Sequence, residues 1–441
     1  MPDLREYISS VSQDTTSITR HVSTVHEVAA ITAQADGSGA VLFENVGDGG
    51  FRLVSNLVGS RSRFAVAVGA DERNIHERMI SCINGARPPQ TVKQAKFMEN
   101  TTDDASILPI VYHFEKEPGP FITSSIIHAQ NPESGRQNSS FHRMMPISKN
   151  RFSVRMVEGR HLHRCFVDAQ EHGEDLSVAI TVGVHPAISI AGAYQAEWGH
   201  DEMHIANSIL NGDLTLARSP HSKMLVPSEA EIVMEGRFLQ DVTHAEWMVE
   251  MLQTYDHKRD QPVFELEALH FRDDPIFHDI LPGYLEHRLL MGMPIESKIN
   301  HEMKLAFPKT RQVTMTRGGC GWLHAVVQAE KTTDTEPRDM IMAAFKSHRS
   351  LKQVTIVDTD IDPNSAESVE YAMATRFQAD QDLIIIRNVR GSSLDPSSDQ
   401  ENLRTAKMGI DATRSLSKNP EGFEIAKIPG YDQDDTSQPT A

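Results

Sequence analysis

The spacing of apolar and polar residues changes several times along the chain, and each change marks a different kind of element. Over residues 1–105, amphipathic helical stretches alternate with short apolar runs at 40–43 and 64–68 read as strands, separated by glycine-rich turns. That pattern predicts an N-terminal α/β unit. Strand signals dominate from 106 to 305: an apolar run at 176–184 predicts a buried strand, and 231–234 another. At 263–271 the order VFELEALHF alternates, with Phe264, Leu266 and Ala268 on one face and Glu265 and Glu267 on the other. Such a half-solvated strand belongs in a mixed or antiparallel sheet. Beyond the glycines Gly318, Gly319 and Gly321, over 306–430, a strand at 353–358, a helix over SVEYAMATRF and a strand in DLIIIRNV predict a βαβ-like unit. The polar stretch 431–441 has too little apolar side chain to offset the entropy of ordering and is expected to be a disordered tail.

Length and charge narrow the possibilities. At 441 residues the chain exceeds what one hydrophobic core organises. Its 61 acidic against 43 basic residues give a formal charge of −18, which repels nucleic acid and anionic membrane surfaces. A small anionic substrate remains compatible, because a local basic cluster can reverse the potential inside a cleft. Cys82, Cys165 and Cys320 are odd in number and far apart, so neither a disulfide framework nor a thiolate zinc site is expected. With no basic start followed by an apolar run, and no stretch of membrane-spanning length, a cytoplasmic protein with no membrane partner is expected.

Four polar stretches could carry chemistry. Residues 138–164 combine Asn138, several arginines and His142, His161 and His163. On a strand, His161 and His163 face opposite ways, so one at most meets a given site. Asp201, Glu202 and His204 crowd the start of an expected helix, where acids also serve the helix dipole. In HAEWMVEM, Glu246 and Glu250 share a face if the segment is helical, as an acid/base pair or as solvated carboxylates. Cys320 in GGCGW reads as a small thiol packed in a tight turn.

Taken together these stretches resemble the UbiD family of prenylated-flavin decarboxylases. The likeness is carried by AVLFENV, NLVGSRSRFAVAVG, GPFITSSIIHAQNPESGRQNSSFHRM, RHLHR, AEIVMEG, DPIFHDILPG, GGCGWLHAVVQ and ATRFQAD, in that order over nearly the whole chain. The resemblance implies an α+β fold: an N-terminal α/β domain over 1–105, a central split β-barrel-like domain over 106–305 that binds prenylated FMN, and a C-terminal α/β oligomerisation domain over 306–430. It implies that Asn138, His161 and Glu202 hold Mn²⁺ or Mg²⁺ against the flavin phosphate, with K⁺ nearby. Ser140 and Phe141 would line the cofactor and Lys352 would reach its phosphate.

Arg143 falls on the family's catalytic arginine, whose fork can hold a carboxylate in two hydrogen bonds. The family completes its Glu–Arg–Glu network with two acids five positions apart. Here the second aligns with Glu250, the expected proton donor, whereas the first falls on Ala245, with Glu246 one place along. Either Glu246 substitutes after a local backbone shift, or the site works with one acid or not at all.

LEHRLLMGMP, TYDHKRDQPVFEL and GSSLDPSSDQENLRTAKMGIDAT are most similar to the archaeal branch, which implies decarboxylation of trans-anhydromevalonate 5-phosphate to isopentenyl phosphate. The alternatives are an aromatic or heteroaromatic acid as substrate, a flavin-binding homologue without turnover, and an oxidoreductase using unmodified FMN. His287 and Arg288 are candidates for holding a substrate phosphate. A flavin prenyltransferase as cofactor supplier and assembly into a homo-oligomer are also implied.

Overall fold

The computed structural model describes residues 2–131, 135–426 and 428, so the expected tail 431–441 lies outside the described residues. The chain divides into two compact units, residues 1–301 with 320–322, and residues 302–319 with 323–441.

The first unit is built on an antiparallel sheet whose strand order is Gln137–Phe141, Ile126–Gln130, Leu176–Val182, Ile232–Glu246, Arg259–Phe271, Arg151–Val154, Met144–Ser148, with Asn100–Thr102 also paired to Arg259–Phe271. Its two outermost strands are neighbours in sequence, separated only by His142 and Arg143. Six strand-to-strand gaps of roughly 4.8 Å make about 29 Å, whereas three Cα–Cα steps reach at most about 11 Å. The sheet must therefore roll until its edges approach. Among the described residues one bridge, Ile122 to Met144, ties the last strand to the segment that leads into Ile126–Gln130, and no continuous ladder closes the seam. The result is a split barrel in an α+β fold, with Arg143 at the split.

Phe152, Phe238 and Phe264 pack together inside this sheet with Val178, Ile180 and Met234. Of the alternation expected at 263–271, Phe264, Leu266 and Ala268 are buried and Glu267 is exposed, but Val263, Leu269 and His270 are buried as well, so the strand is covered on both faces. A bulge interrupts the pairing: Glu235 faces Ala268 and Gly236 faces Leu266, leaving Glu267 without a partner. At Gly236 a Cβ would lie 2.0 Å from the Glu265 carbonyl oxygen, so only glycine allows the two longest strands to approach here.

A smaller sheet, Thr15–Ile18, Ala40–Phe43, Arg52–Ser55 and Ile276–His278, contains two parallel pairings and belongs to the same unit. The strand expected at 64–68 is instead helix Arg61–Val68. Ser60 caps its start by accepting the Arg63 amide and Gly69 ends it at φ +66°. A short apolar run fits a buried helix as well as a buried strand, and here the caps decide.

In the second unit the sheet order is Thr310–Met315, His324–Ala329, Gln353–Val357, Arg404–Ala412, Leu383–Arg390. The expected strand, helix Ala366–Arg376 and strand all form, yet they do not make a βαβ unit. Arg404–Ala412 lies between the two strands, parallel to Gln353–Val357 and antiparallel to Leu383–Arg390. Leu383–Arg390 is an edge strand with exposed alternate positions, and its Ile run does not build a central core strand. Val326, Val357, Ile410, Val369 and Ala372 form a core beside this sheet. Among the described residues no helix is long and apolar enough to cross a membrane.

Gly236→Ala should destabilise the fold by about 1–3 kcal/mol through the clash with the Glu265 carbonyl. An unchanged thermal midpoint in the purified variant would remove the bulge as a packing constraint.

Candidate active site

Arg143 follows the first edge strand and precedes the last, so the rolled sheet carries its side chain to the seam. It is buried, and three acids surround it. Nε and Nη2 donate to the two carboxylate oxygens of Glu246 at 3.0 and 2.9 Å, Nη2 also donates to Asp256 at 3.2 Å, and Nη1 donates to Glu250. The helix that would have placed Glu246 and Glu250 on one face does not form. Glu246 ends the strand Ile232–Glu246, in register with Arg259. Glu250 lies in the turn beyond it, where its amide donates to the Thr254 carbonyl at 2.9 Å and Gln253 takes φ +61°. Successive strand residues face opposite sides, so Ala245 and Glu246 cannot both turn to Arg143; Glu246 does.

The cluster divides its charge unevenly. Burial disfavours a charged Arg143, but Glu250, Glu246 and Asp256 outweigh it and hold the guanidinium protonated. For Glu250, burial and the neighbouring Asp256 outweigh Arg143 and push its carboxyl above the usual range. Burial acts on Asp256 too, yet the hydrogen bond from Arg259 and the charge of Arg143 hold it low. Glu250 thus keeps a proton more readily than its neighbour Asp256.

Two members of this site have no signal of their own in the sequence. Asp256 reaches Arg143 only because the turn folds back. Buried Glu117 accepts the amides of Val249 and Phe114 at 3.1 and 3.2 Å, and the Trp247 indole donates to the Lys116 carbonyl at 2.7 Å. These contacts pin the segment carrying Glu250 from more than a hundred residues away.

Asn138, His161 and Glu202 also come together. Asn138 lies in the edge strand Gln137–Phe141, while His161 and Glu202 each begin a helix, His161–Glu171 and Glu202–Ile209. HLH is therefore helical rather than extended. His161 turns to Asn138, whereas His163 accepts the Gly159 amide through Nδ1 at 3.3 Å. The His161 Nδ1 donates to Asn138 Oδ1 at 3.0 Å and lies 4.0 Å from Glu202 Oε1. Glu202 Oε2 accepts the Ser139 amide at 2.7 Å. Burial outweighs that hydrogen bond and pushes the Glu202 carboxyl up to about 8, while burial, Arg164 and Arg160 lower His161. A buried carboxylate, a neutral imidazole and an amide oxygen converging in this way fit a hard or borderline divalent cation.

The other expected residues are placed as follows. Ser140 donates to His142 Nε2 at 2.9 Å and accepts from Asn138, because His142 Nδ1 is committed to the Arg155 carbonyl. Phe141 is partly buried against the helical core. Lys352, in the second unit, pairs with Asp395 at 2.6 Å. His287 accepts the Gly283 amide at 3.0 Å, and burial, Arg288 and Arg143 lower it to about 4. It is neutral near pH 7 and supplies no charge for a phosphate. Arg288 donates to the Met251 carbonyl at 3.2 Å.

Three family domains match in succession: the N-terminal, Rift-related and C-terminal domains of 3-octaprenyl-4-hydroxybenzoate carboxy-lyase, over residues 12–83, 86–285 and 288–412. The chain belongs to the UbiD family. Among UbiD relatives, the anhydromevalonate phosphate decarboxylase of Methanothermobacter thermautotrophicus is 38% identical over 94% of this chain and 97% of its own. That of Methanocaldococcus jannaschii is 43% identical over 76% and 78%. The solved UbiD-class enzyme HmfF from Pelotomaculum thermopropionicum, in complex with FMN, aligns at a TM-score of 0.94 and 34% identity, covering 97% of this chain and 98% of its own.

In metal-free protein, Glu202 keeps its proton from the ordinary value of 4.5 up to about 8 in the fold, whereas the unfolded chain has lost it. The unfolded state then binds fewer protons, so stability falls as pH rises through this window, by on the order of a few kcal/mol. Mn²⁺ should restore the thermal midpoint at pH 8, and Glu202→Gln should flatten the pH dependence. An equal slope in the variant would exclude Glu202 as its source.

Proposed function

We propose that this chain decarboxylates trans-anhydromevalonate 5-phosphate to isopentenyl phosphate, using prenylated FMN held beside Mn²⁺ or Mg²⁺ at Asn138, His161 and Glu202, with K⁺ nearby. The reading rests on buried Arg143 with acids of unequal proton affinity around it, in a chain whose curated relatives include several decarboxylases of that name. When bound, the cofactor supplies an electron sink for the carbon that loses CO₂.

The protein's part follows from the geometry. Glu246 and Asp256 hold the Nε and Nη2 side of Arg143, leaving the Nη1 edge to Glu250. A protonated Glu250 no longer competes for that edge, which is then open to the substrate carboxylate. With a carboxylate held there, the same protonated carboxyl would be the group that hands a proton to the carbon CO₂ leaves. Glu246 does the work that Ala245 cannot. Ser140 and Phe141 line the cofactor. The three-part division at residues 105 and 305, supply of the cofactor by a flavin prenyltransferase, a cytoplasmic setting and a homo-oligomer complete the proposal.

Protein co-expressed with a flavin prenyltransferase should carry prenylated FMN by mass spectrometry and release CO₂ from trans-anhydromevalonate 5-phosphate. Cofactor binding with no release from this substrate, or release from aromatic acids alone, would overturn the substrate assignment. Glu250→Gln should cut turnover by about 10²-fold or more while the flavin stays bound. Because Glu250 acts as the acid, kcat should fall on the alkaline limb as it loses its proton. An unaltered limb in Glu250→Asp would assign that limb to another group.

A further inference from the structure

A separate set of ligating side chains meets where the hairpin between Thr215–Arg218 and Leu225–Pro227 touches the rolled sheet. Buried Glu235, on Ile232–Glu246, and buried His270, on Arg259–Phe271, stand with exposed His221 from the hairpin turn, one ligand atom of each lying within 4.8 Å of the others. We propose that His221, Glu235 and His270 form a binding site for a late first-row divalent cation of the zinc type.

Two imidazoles and a carboxylate are a donor set for such an ion, with a fourth position for water. His270 Nε2 is 2.9 Å from Glu235 Oε2, a hydrogen-bond distance that need open by only about half an ångström to reach the roughly 3.4 Å between two tetrahedral ligands each about 2.1 Å from one ion. The other nitrogen, Nδ1, lies 2.9 Å from the Thr101 hydroxyl. That hydroxyl can donate when Nε2 carries the proton and accept when Nε2 turns its lone pair to a metal, the outer-shell contact that a ligating histidine needs. The rings of His221 and His270 are stacked at 28° with centroids 5.9 Å apart. Among the described residues the His221 ring nitrogens have no hydrogen-bond partner, so the ring is free to turn inward.

The hairpin is positioned for this role by Glu235 itself. The carboxylate accepts the His221 amide at 3.0 and 3.2 Å, and the Ser222 amide and hydroxyl at 2.8 and 2.9 Å. Burial opposes the charge, but hydrogen bonds from His270, Ser219 and Ser222 hold the carboxyl down at about 2, ionised and ready to ligate. An ion would replace only the proton between His270 and Glu235 and add His221. The hairpin also exchanges two hydrogen bonds between Leu225 and the side chain of Gln137, the residue before Asn138. A bound ion would therefore stiffen the edge strand that carries Asn138 and Ser140, from a place outside that cluster.

The test is zinc content by mass spectrometry and the visible spectrum of the Co²⁺-loaded protein, on full-length wild type, His221→Ala and His161→Ala after metal stripping and reloading. His221 is exposed, so its truncation should leave the fold intact. Wild type should retain about one Zn²⁺ more per chain than His221→Ala and show the intense ligand-field bands of four-coordinate Co²⁺, lost in His221→Ala and kept in His161→Ala. Zinc should also raise the thermal midpoint of wild type by more than that of His221→Ala, which keeps the Asn138, His161 and Glu202 cluster. Equal zinc content in wild type and His221→Ala, or bands that disappear only with His161, would overturn the proposal and leave Glu235 and His270 as a structural pair.

Discussion

Burying a guanidinium as Arg143 is buried costs several kcal/mol unless carboxylates replace its water, and removing one partner of such a cluster leaves the others uncompensated. The rest of the site follows from that requirement. Glu246 meets Arg143 with two parallel hydrogen bonds, which sets the plane of the guanidinium, and Asp256 completes that side. The remaining edge faces Glu250. The cluster is thereby both the electrostatic keystone of the seam and a source of two different acids.

The seam exists because of a connection two residues long. Gln137–Phe141 and Met144–Ser148 occupy opposite ends of the sheet order, and the short link between them rolls the sheet. It also brings neighbours in sequence to different tasks. Asn138 and Ser140 remain on one edge with His161 and Glu202, while Arg143 crosses to the strand end and the turn that bear Glu246 and Glu250. A short span of chain thus joins the metal-type donor set to the acid cluster.

The EWMVEM segment departs from its family's pattern without leaving Arg143 short of acid. The turn that carries Glu250 is held by Glu117 and the Lys116 carbonyl. Glu117 lies in a buried position where burial also pushes its own carboxyl above the usual range. Positioning by distant backbone contacts lets the local sequence vary while the carboxylates stay in place.

Much of this was legible in the residues themselves. Alternation at 263–271 and the apolar run at 176–184 required strands, because a strand's side-chain period is two, although the first is covered on both faces rather than half-buried. Several ordered motifs together identified the family, and with it Asn138, Arg143, His161, Glu202 and Glu250 as the residues to examine. The run at 64–68 and HLH were helices rather than strands, because capping by Ser60 and tertiary placement overrode short, ambiguous patterns. Leu383–Arg390 took an edge because Arg404–Ala412 was inserted beside Gln353–Val357. Only the tertiary structure could turn Glu246 rather than Ala245 toward Arg143, add Asp256, and draw His221, Glu235 and His270 together. Those outcomes depend on strand register, turn geometry and contacts across more than a hundred residues, and local sequence period carries no information about them.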